Sequence, residues 1–385
     1  MRKFIHFTQP LFGKEERKEV LDAMASGWVT LGPKTKQFEE DFAKYVDAKF
    51  AIGVTSCTAG LHLSLVAAGI GPGDEVITTP FTFVASVNVI EHVGAKPVLV
   101  DVEKNSFLMD PDQIEKVITK KTKAIIPVHY GGQAVDMRKI MKIAKKHNLV
   151  VIEDAAHATG AMFNGQKIGT HGDFVNFSFH PVKNMSTGDG GMITTNNQKY
   201  AEILSQLRLH GMSKDAWKRH SASGSWKYDI VSPGYKYNMT DIQSALGIQQ
   251  LKKLPSFIKT RQKYAKIYDD LFINTPEISI PAVLRKGEHI YSLYTVKINS
   301  ANLSIDRDEI IELLKEAQIG PSVYFIPVHH FTYYKDKYKF NPKKFPVTEE
   351  IFTQIISLPL YPGMKEADIR YVANQLVSII SSHRK

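Results

Sequence analysis

The chain has 385 residues, 43% of them hydrophobic, which suits one large folded domain plus a smaller one and excludes a disordered polymer. A single cysteine, Cys57, excludes an intrachain disulfide and a cysteine-built zinc cluster, agrees with a reducing compartment and leaves metal binding to histidines and carboxylates. The net charge of +10 comes from 49 basic and 39 acidic residues that intermingle, as in KEERKE and KKTKAI, which reads as a solvated basic surface and not as a nucleic-acid-binding block.

The opening MRKFIHFTQP lacks the apolar core of a secretory signal, and no run reaches the roughly 18 apolar residues of a membrane helix. A cytoplasmic protein without a membrane partner is expected. From residue 51 to about 155, short β-rich runs (AIGVTS, EVITTP, KPVLVDV, KAIIPVHY, LVVIED) alternate with helical patterns (TAGLHLSLVAAG, FVASVNVIEHVG, DPDQIEKVIT, MRKIMKIAKKHN). That alternation predicts an α/β fold with a mainly parallel, doubly wound sheet covered by helices on both faces. Ligands of such sheets bind outside the carboxyl ends of the strands, so the polar residues just after each strand are the candidates for chemistry.

Three stretches stand out there. SCTAG (56–60) follows a strand and opens a helix, whose free N–H groups suit a phosphate, although Ser56 or Thr58 could equally be a plain cap. VVIEDAAHA (150–158) puts Glu153 and Asp154 at a strand's carboxyl end, where one of them wants a cationic ligand; Asp154 could instead cap a helix over AAHATG. FSFHPVKNMSTGDGG (177–191) sets Lys183 in a polar, glycine-rich loop after a β-rich run, near the same edge. A lysine in a partly desolvated site loses basicity and can attack an aldehyde. Lysine, carboxylate and helix N-terminus are together the groups that pyridoxal 5′-phosphate (PLP) needs.

Beyond residue 198 the helical stretches lengthen, with MTDIQSALGIQQLKKL and FIKTRQKYAKIYDDLF separated by a break or helix start at Pro255. A large domain over 1–250, with an N-terminal arm, and a smaller α/β domain over 251–385 are expected. YSLYTVKI, RDEIIELLKEAQIG and the Tyr- and His-rich 324–338 fall in the latter.

EDAAHA, FSFHPVKN with its Gly-Gly turn, GYKYNMTDIQSALGIQQL, SGWVTLGPK, HHFTYYKDKY and SLPLYPGM resemble the DegT/DnrJ/EryC1 family of PLP-dependent nucleotide-sugar aminotransferases over nearly the whole chain. The resemblance implies the fold-type I aminotransferase architecture and transamination of a nucleotide-linked keto sugar with L-glutamate as donor. It makes Lys183 the lysine bonded to the cofactor aldehyde and Asp154 the partner of the ring nitrogen. His157 would lie beside the ring, Phe83 would stack on it, and Thr58, Ala59 and Ser178 would hold the phosphate. Asn238 would reach the phosphate of a neighbouring subunit's cofactor, which implies a homodimer with shared active sites. Lys34, His180, His210 and His329 are candidate substrate contacts, and Arg208 a further candidate for a diphosphate.

SGWVTLGPK, KAIIPVHYGG and SPGYKYNMTD resemble, in particular, enzymes that aminate a UDP-4-keto sugar, among them those making 4-amino-4-deoxy-L-arabinose for lipid A. Two departures from the family pattern are Ser186-Thr187-Gly188-Asp189, where relatives often carry Thr-Thr-Gly-Glu, and Tyr324 where a histidine is usual. The alternatives within the fold are a sugar dehydratase, which carries His at the position of Lys183, and a non-catalytic PLP-binding regulator.

Overall fold

Consecutive residues of the apolar strands have to point to opposite faces of a sheet, and that alternation builds two cores here. The computed structural model describes residues 3–213, 227–285 and 287–385. Helices α1 (Lys14–Ala25) and α2 (Pro33–Tyr45) lead into β1 (Phe50–Val54), α3 (Cys57–Ala67), β2 (Glu75–Thr78), α4 (Ala85–His92), β3 (Lys96–Leu99) and the short α5 (Pro111–Ile114). β4 (Thr122–Ile125), α6 (Met137–His147) and β5 (Val150–Asp154) follow, then the hairpin of β6 (Met162–Phe163) and β7 (Gln166–Lys167), then β8 (Phe174–Ser178), β9 (Gly191–Thr195) and α7 (Gln198–Leu207).

Seven of these strands form one sheet in the order β1-β9-β8-β5-β4-β2-β3. Only β9 runs against the others, pairing antiparallel with both β1 and β8. The mostly parallel α/β sheet is the one expected from the alternation of strand and helix patterns. Ile77, Ile125, Val151, Val175 and Met192 face one core, shared with Phe38 and Phe42 of α2. Their chain neighbours Val76, Ala124, Ile152, Phe174 and Ile193 face the other, shared with Leu61 and Leu65 of α3. A sheet buried on both faces is why these strands read as unbroken apolar runs.

The 32-residue helix α8 (Asp241–Phe272) opens on a capping box in which Thr240 and Gln243 satisfy each other's backbone N–H. Pro255 lies inside this helix and does not break it, contrary to the expectation from sequence. A proline there forfeits one helical hydrogen bond and costs about 3 kcal/mol. Burial on either side of it offsets that: Ile248, Leu251 and Leu254 enter the large-sheet core, and Tyr264, Ala265, Tyr268 and Phe272 enter a separate one. The boundary expected near residue 250 thus falls inside one helix that serves both cores.

This separate core covers a three-stranded antiparallel sheet of β10 (Ile278–Ser279), β11 (Tyr294–Ile298) and β12 (Ile355–Leu358). α9 (Arg307–Glu316) and α12 (Glu366–Ser382) pack into it, whereas Tyr334 of α10 (Thr332–Tyr338) packs with Val87 and Leu99, and Ile351 of α11 (Pro346–Gln354) enters the large-sheet core. Ile5, from the amino-terminal arm, joins this core and bridges to Ile319. Among the described residues no helix is long and apolar enough to cross a membrane.

Candidate active site

Glu153 and Asp154 are adjacent in β5 and therefore point to opposite faces. Glu153 is fully buried: its Oε2 lies 2.7 Å from His129 Nε2, and its Oε1 accepts from Gly172 N at 2.5 Å. His129 Nδ1 accepts from Val135 N at 3.2 Å, so Nε2 carries the proton that is donated to Glu153. Asp154 is the carboxylate that faces a cavity of about 440 Å³ at the carboxyl edge of the sheet. Its Oδ2 accepts from Ser86 Oγ at 2.6 Å and its Oδ1 from Ala156 N at 3.1 Å. No helix follows at AAHATG, which forms turns instead, so Asp154 caps nothing beyond that local bond.

Lys183 reaches the same cavity because β9 is reversed. The 179–190 connection between two antiparallel neighbours starts and ends at the carboxyl edge of β8, and Lys183 N donates to His180 O within it at 2.9 Å. Taking the ammonium out of water pushes the Lys183 pKa down to about 8, against the opposing pull of the Asp154 carboxylate and then of Cys57. The unfolded lysine holds its proton up to about 10.5. Between about 8 and 10.5 the unfolded chain therefore binds more protons, and this group's penalty on the apo fold, complete below 8, is relieved as pH rises through that window. The uncharged amine is the nucleophile. Capture of PLP by apoprotein, followed in the near-visible, is accordingly expected to quicken with pH and to level off above about 8; a flat profile from 6 to 9 would contradict this environment for Lys183.

The cavity floor is the start of α3. Ser56 caps it, with its Oγ accepting from Ala59 N at 3.1 Å. The first-turn amides of Cys57 and Thr58 have no intrahelical acceptor by position. A Cβ on Gly191 would stand 2.6 Å from Cys57 N and 2.5 Å from Ser56 C, so only glycine lets β9 begin against this helix start. Ser178, at the end of β8, is buried against the same space and accepts from His180 N at 3.5 Å. Burial, reinforced by the Asp154 carboxylate and opposed by the Lys183 charge, drives the Cys57 thiol well above its ordinary value and keeps it protonated.

Aromatic rings wall the other side. Phe83 is 59% exposed and lines the cavity mouth, its centroid 6.1 Å from that of Phe325. His157 stacks on Phe325 at 5.7 Å and 12°. Burial and then the Lys183 charge hold the His157 pKa well below the usual imidazole value, so the ring is neutral, with Nδ1 accepting from Gly131 N at 3.4 Å. Thr58, Phe83, Asp154, His157, Ser178, His180 and Lys183 are thus brought together around one cavity.

Other residues singled out from sequence lie elsewhere. The Ala59 amide is taken by Ser56, and Ala59 does not line the cavity. Asn238 is buried beside Val54, accepting from Lys236 Nζ at 2.7 Å and donating to Met239 O at 3.2 Å, outside its own chain's cavity. Lys34 pairs with Glu19. Arg208 is buried, paired with Glu39 and donating to Gly53 O at 2.8 Å, a structural tie and not a solvent-facing cation. His210 is exposed away from the cavity. His329 is buried, with Nε2 2.5 Å from Glu349 Oε1; the same oxygen lies 2.7 Å from His330 Nε2, and this hydrogen-bonded trio is the one group among the described residues whose atoms are close enough to share a metal ion.

Sequence reasoning missed Ser86 and Phe325 as neighbours of the cavity and noted Tyr324 only as a departure from the family pattern. Ser86 sits three residues after Phe83 in TPFTFVAS and could have been found from a helical turn's spacing. Phe325 is brought in by the smaller sheet and carries no local signal.

An amine of lowered basicity, a buried carboxylate and a helix start with free amides converge on a cavity large enough for a small cofactor. That donor set fits the aldehyde, ring nitrogen and phosphate of PLP. Residues 10–377 match the DegT/DnrJ/EryC1/StrS aminotransferase family. The spore coat polysaccharide biosynthesis protein SpsC of Bacillus subtilis is 45% identical over 378 residues, covering 98% of this chain and 97% of SpsC. The uncharacterized protein MJ1066 of Methanocaldococcus jannaschii is 50% identical over 376 residues, 98% and 97% of the two chains. Among solved structures, PseC of Helicobacter pylori, an aminotransferase involved in the biosynthesis of pseudoaminic acid, superposes with a TM-score of 0.92 at 28% identity over 99% of this chain and 100% of PseC. Spr1654 of Streptococcus pneumoniae in its PLP form gives 0.91 at 35% identity over 98% and 99%. The chain belongs to the DegT/DnrJ/EryC1/StrS aminotransferase family and is a PLP-dependent aminotransferase.

Proposed function

We propose that this enzyme transfers the amino group of L-glutamate to the ketone of a nucleotide-linked sugar, a UDP-4-keto sugar foremost, for the synthesis of an amino-sugar component of a surface polysaccharide or of lipid A. The observation that carries the reading is the convergence of Lys183, Asp154 and the start of α3 on one cavity. The roles of SpsC and PseC, in polysaccharide and in pseudoaminic acid synthesis, support a sugar as the acceptor. When bound, PLP supplies an aldehyde that carries the amino group and a ring that takes up electrons from the substrate carbon.

The chain's own residues divide the remaining work. Lys183 would hold the aldehyde, Asp154 the ring nitrogen, and Thr58, Ser178 and the α3 amides the phosphate. Phe83 and the neutral His157 would lie against the ring. Once the incoming amine displaces it, Lys183 Nζ is free to take a proton from the substrate carbon and return it at the other end, a task suited to a group whose pKa is about 8. Phe83, Tyr324 and Phe325 keep water from the reacting centre.

Asn238 lies outside its own cavity, which supports a role at the cavity of a second subunit in a homodimer. Of the substrate contacts suggested by sequence, His180 is the one at the cavity, while Lys34, His210 and His329 would act only through that partner or through the nucleotide. The part over 1–250 would hold the cofactor and the part over 251–385 would close on it, in the cytoplasm where nucleotide sugars form.

The acceptor is identified by a half-reaction screen. Enzyme loaded with glutamate and freed of excess donor is mixed with single keto sugars, and return of the near-visible band is followed. A UDP-4-keto sugar is expected to restore it; restoration by simple 2-oxo acids only, with no keto sugar effective, would overturn the reading.

A further inference from the structure

We propose that Ser86 is a positioning residue of this transamination, fixing the Asp154 carboxylate in the orientation that meets the cofactor's ring nitrogen, with Thr82 ordered behind it; the proposal rests on the reading of Asp154 given above. Ser86 lies in the first turn of α4, and its Oγ is 2.6 Å from Asp154 Oδ2. That is the length of a charge-assisted O–H···O⁻ bond. Thr82 Oγ1 is 2.9 Å from Ser86 Oγ. All three side chains are buried, with Ser86 at 0% exposure and Thr82 at 1%.

The direction of the chain of hydrogen bonds follows from the donors available. An ionised carboxylate only accepts, and a serine hydroxyl has one proton. The proton of Ser86 therefore goes to Asp154, and the Thr82 hydroxyl must donate to Ser86. Phe83 O, 3.4 Å from Ser86 Oγ, offers a longer and uncharged alternative that loses to the carboxylate. On the other oxygen, Ala156 N donates to Oδ1 at 3.1 Å. The carboxylate is thus held by Ser86 on Oδ2 and by Ala156 N on Oδ1, where the Cys57 thiol is a longer, weaker donor at 3.9 Å, so Oδ2 keeps a lone pair for the cavity. Desolvating a carboxylate is costly unless such donors replace its water. Phe83 lies between Thr82 and Ser86 and lines the same cavity, so one short turn fixes the carboxylate and presents the aromatic ring.

The test uses full-length protein carrying Ser86→Ala, Ser86→Thr or Thr82→Val, with Asp154→Asn alongside. Three quantities are read: the PLP dissociation constant from spectral titration of apoprotein, kcat and KM of the L-glutamate half-reaction, and the unfolding midpoint of the apoprotein. Losing one hydrogen bond to a charged group is worth roughly tenfold to a hundredfold. Ser86→Ala is expected to weaken PLP binding by about tenfold or more and to lower kcat with KM little changed. Ser86→Thr should restore both, and Thr82→Val should give a smaller loss. Wild-type PLP affinity and kcat in Ser86→Ala, while Asp154→Asn is impaired, would overturn the role of Ser86 and leave that of Asp154 standing. Failure of Ser86→Thr to rescue would overturn it too, since a hydroxyl would then not be what matters. If Asp154→Asn is itself unimpaired, the reading of Asp154 falls and the proposal falls with it. Should Ser86→Ala not fold, Thr82→Val decides: a partial loss supports the proposal, and wild-type values overturn it.

Discussion

Lys183→Ala is expected to abolish turnover, by about 10⁴-fold or more, and to leave the protein without its normal near-visible band even when PLP is supplied. The same side chain is asked to hold the cofactor and to move the proton, and among the described residues no second lysine lines the cavity. The variant should fold. Lys183 occupies a connection whose backbone is held by its own bond to His180 and by the bonds of Phe179 N to Gly190 O at 2.9 Å and of Thr187 N to Phe179 O at 3.0 Å. Removing an ammonium from a site that lowers its pKa to about 8 also relieves a penalty on the apo fold at pH 7. Purified variant that still turns over at a tenth of the wild-type rate would show that another group moves the proton.

Asp154→Asn is expected to retain some PLP but to lose about 10²-fold or more in kcat, because the amide keeps the shape and loses the charge that holds the ring nitrogen protonated. Ser86 Oγ and Ala156 N, now bonded to a carboxylate, would share a single amide oxygen, and for Ser86 the longer contact to Phe83 O at 3.4 Å is the weaker acceptor that remains. One of them is left facing an NH₂ group, and the unfolding midpoint is expected to fall as well. The kinetic loss separates the roles of the two acids in EDAAHA: Glu153→Gln should affect stability through His129 and Gly172 while leaving the glutamate half-reaction of the folded fraction near wild type. If Glu153→Gln instead abolished the half-reaction and Asp154→Asn did not, the carboxylate would have been assigned to the wrong residue.

Much of this arrangement was legible in the sequence because it depends on local patterns. Continuous apolar runs separated by helical patterns demand a sheet buried on both faces, and the paired cores on Val151 and Ile152 or Phe174 and Val175 are the physical form of that demand. The placement of Lys183 was readable because a glycine-rich turn after a strand returns the chain to the same edge. The choice between Glu153 and Asp154 was not, since alternation says that they diverge but only the neighbours say which one meets solvent and which meets His129. Pro255 misled for a related reason: helix propensity is local, whereas the apolar contacts of Leu254 and Tyr264 that carry α8 across the proline come from two different cores. Arg208 looked like a free cation in LRLHG until Glu39, 169 residues away in sequence, was seen to hold it. Phe325 and Tyr324 reach the cavity from the smaller sheet, and the stacking of Phe325 on His157 and the edge-on contact of Tyr324 with it are long-range events without a sequence period.

The central claim is that Lys183 and Asp154 form one site that takes an amino group from a donor and stores it for a sugar. A single-turnover mixing experiment with PLP-loaded enzyme and L-glutamate tests it most directly, with the near-visible band and 2-oxoglutarate measured together. The account predicts that the band bleaches while one equivalent of 2-oxoglutarate forms per active site, and that neither happens in Lys183→Ala. Bleaching without 2-oxoglutarate, or 2-oxoglutarate formed equally by Lys183→Ala, would contradict it.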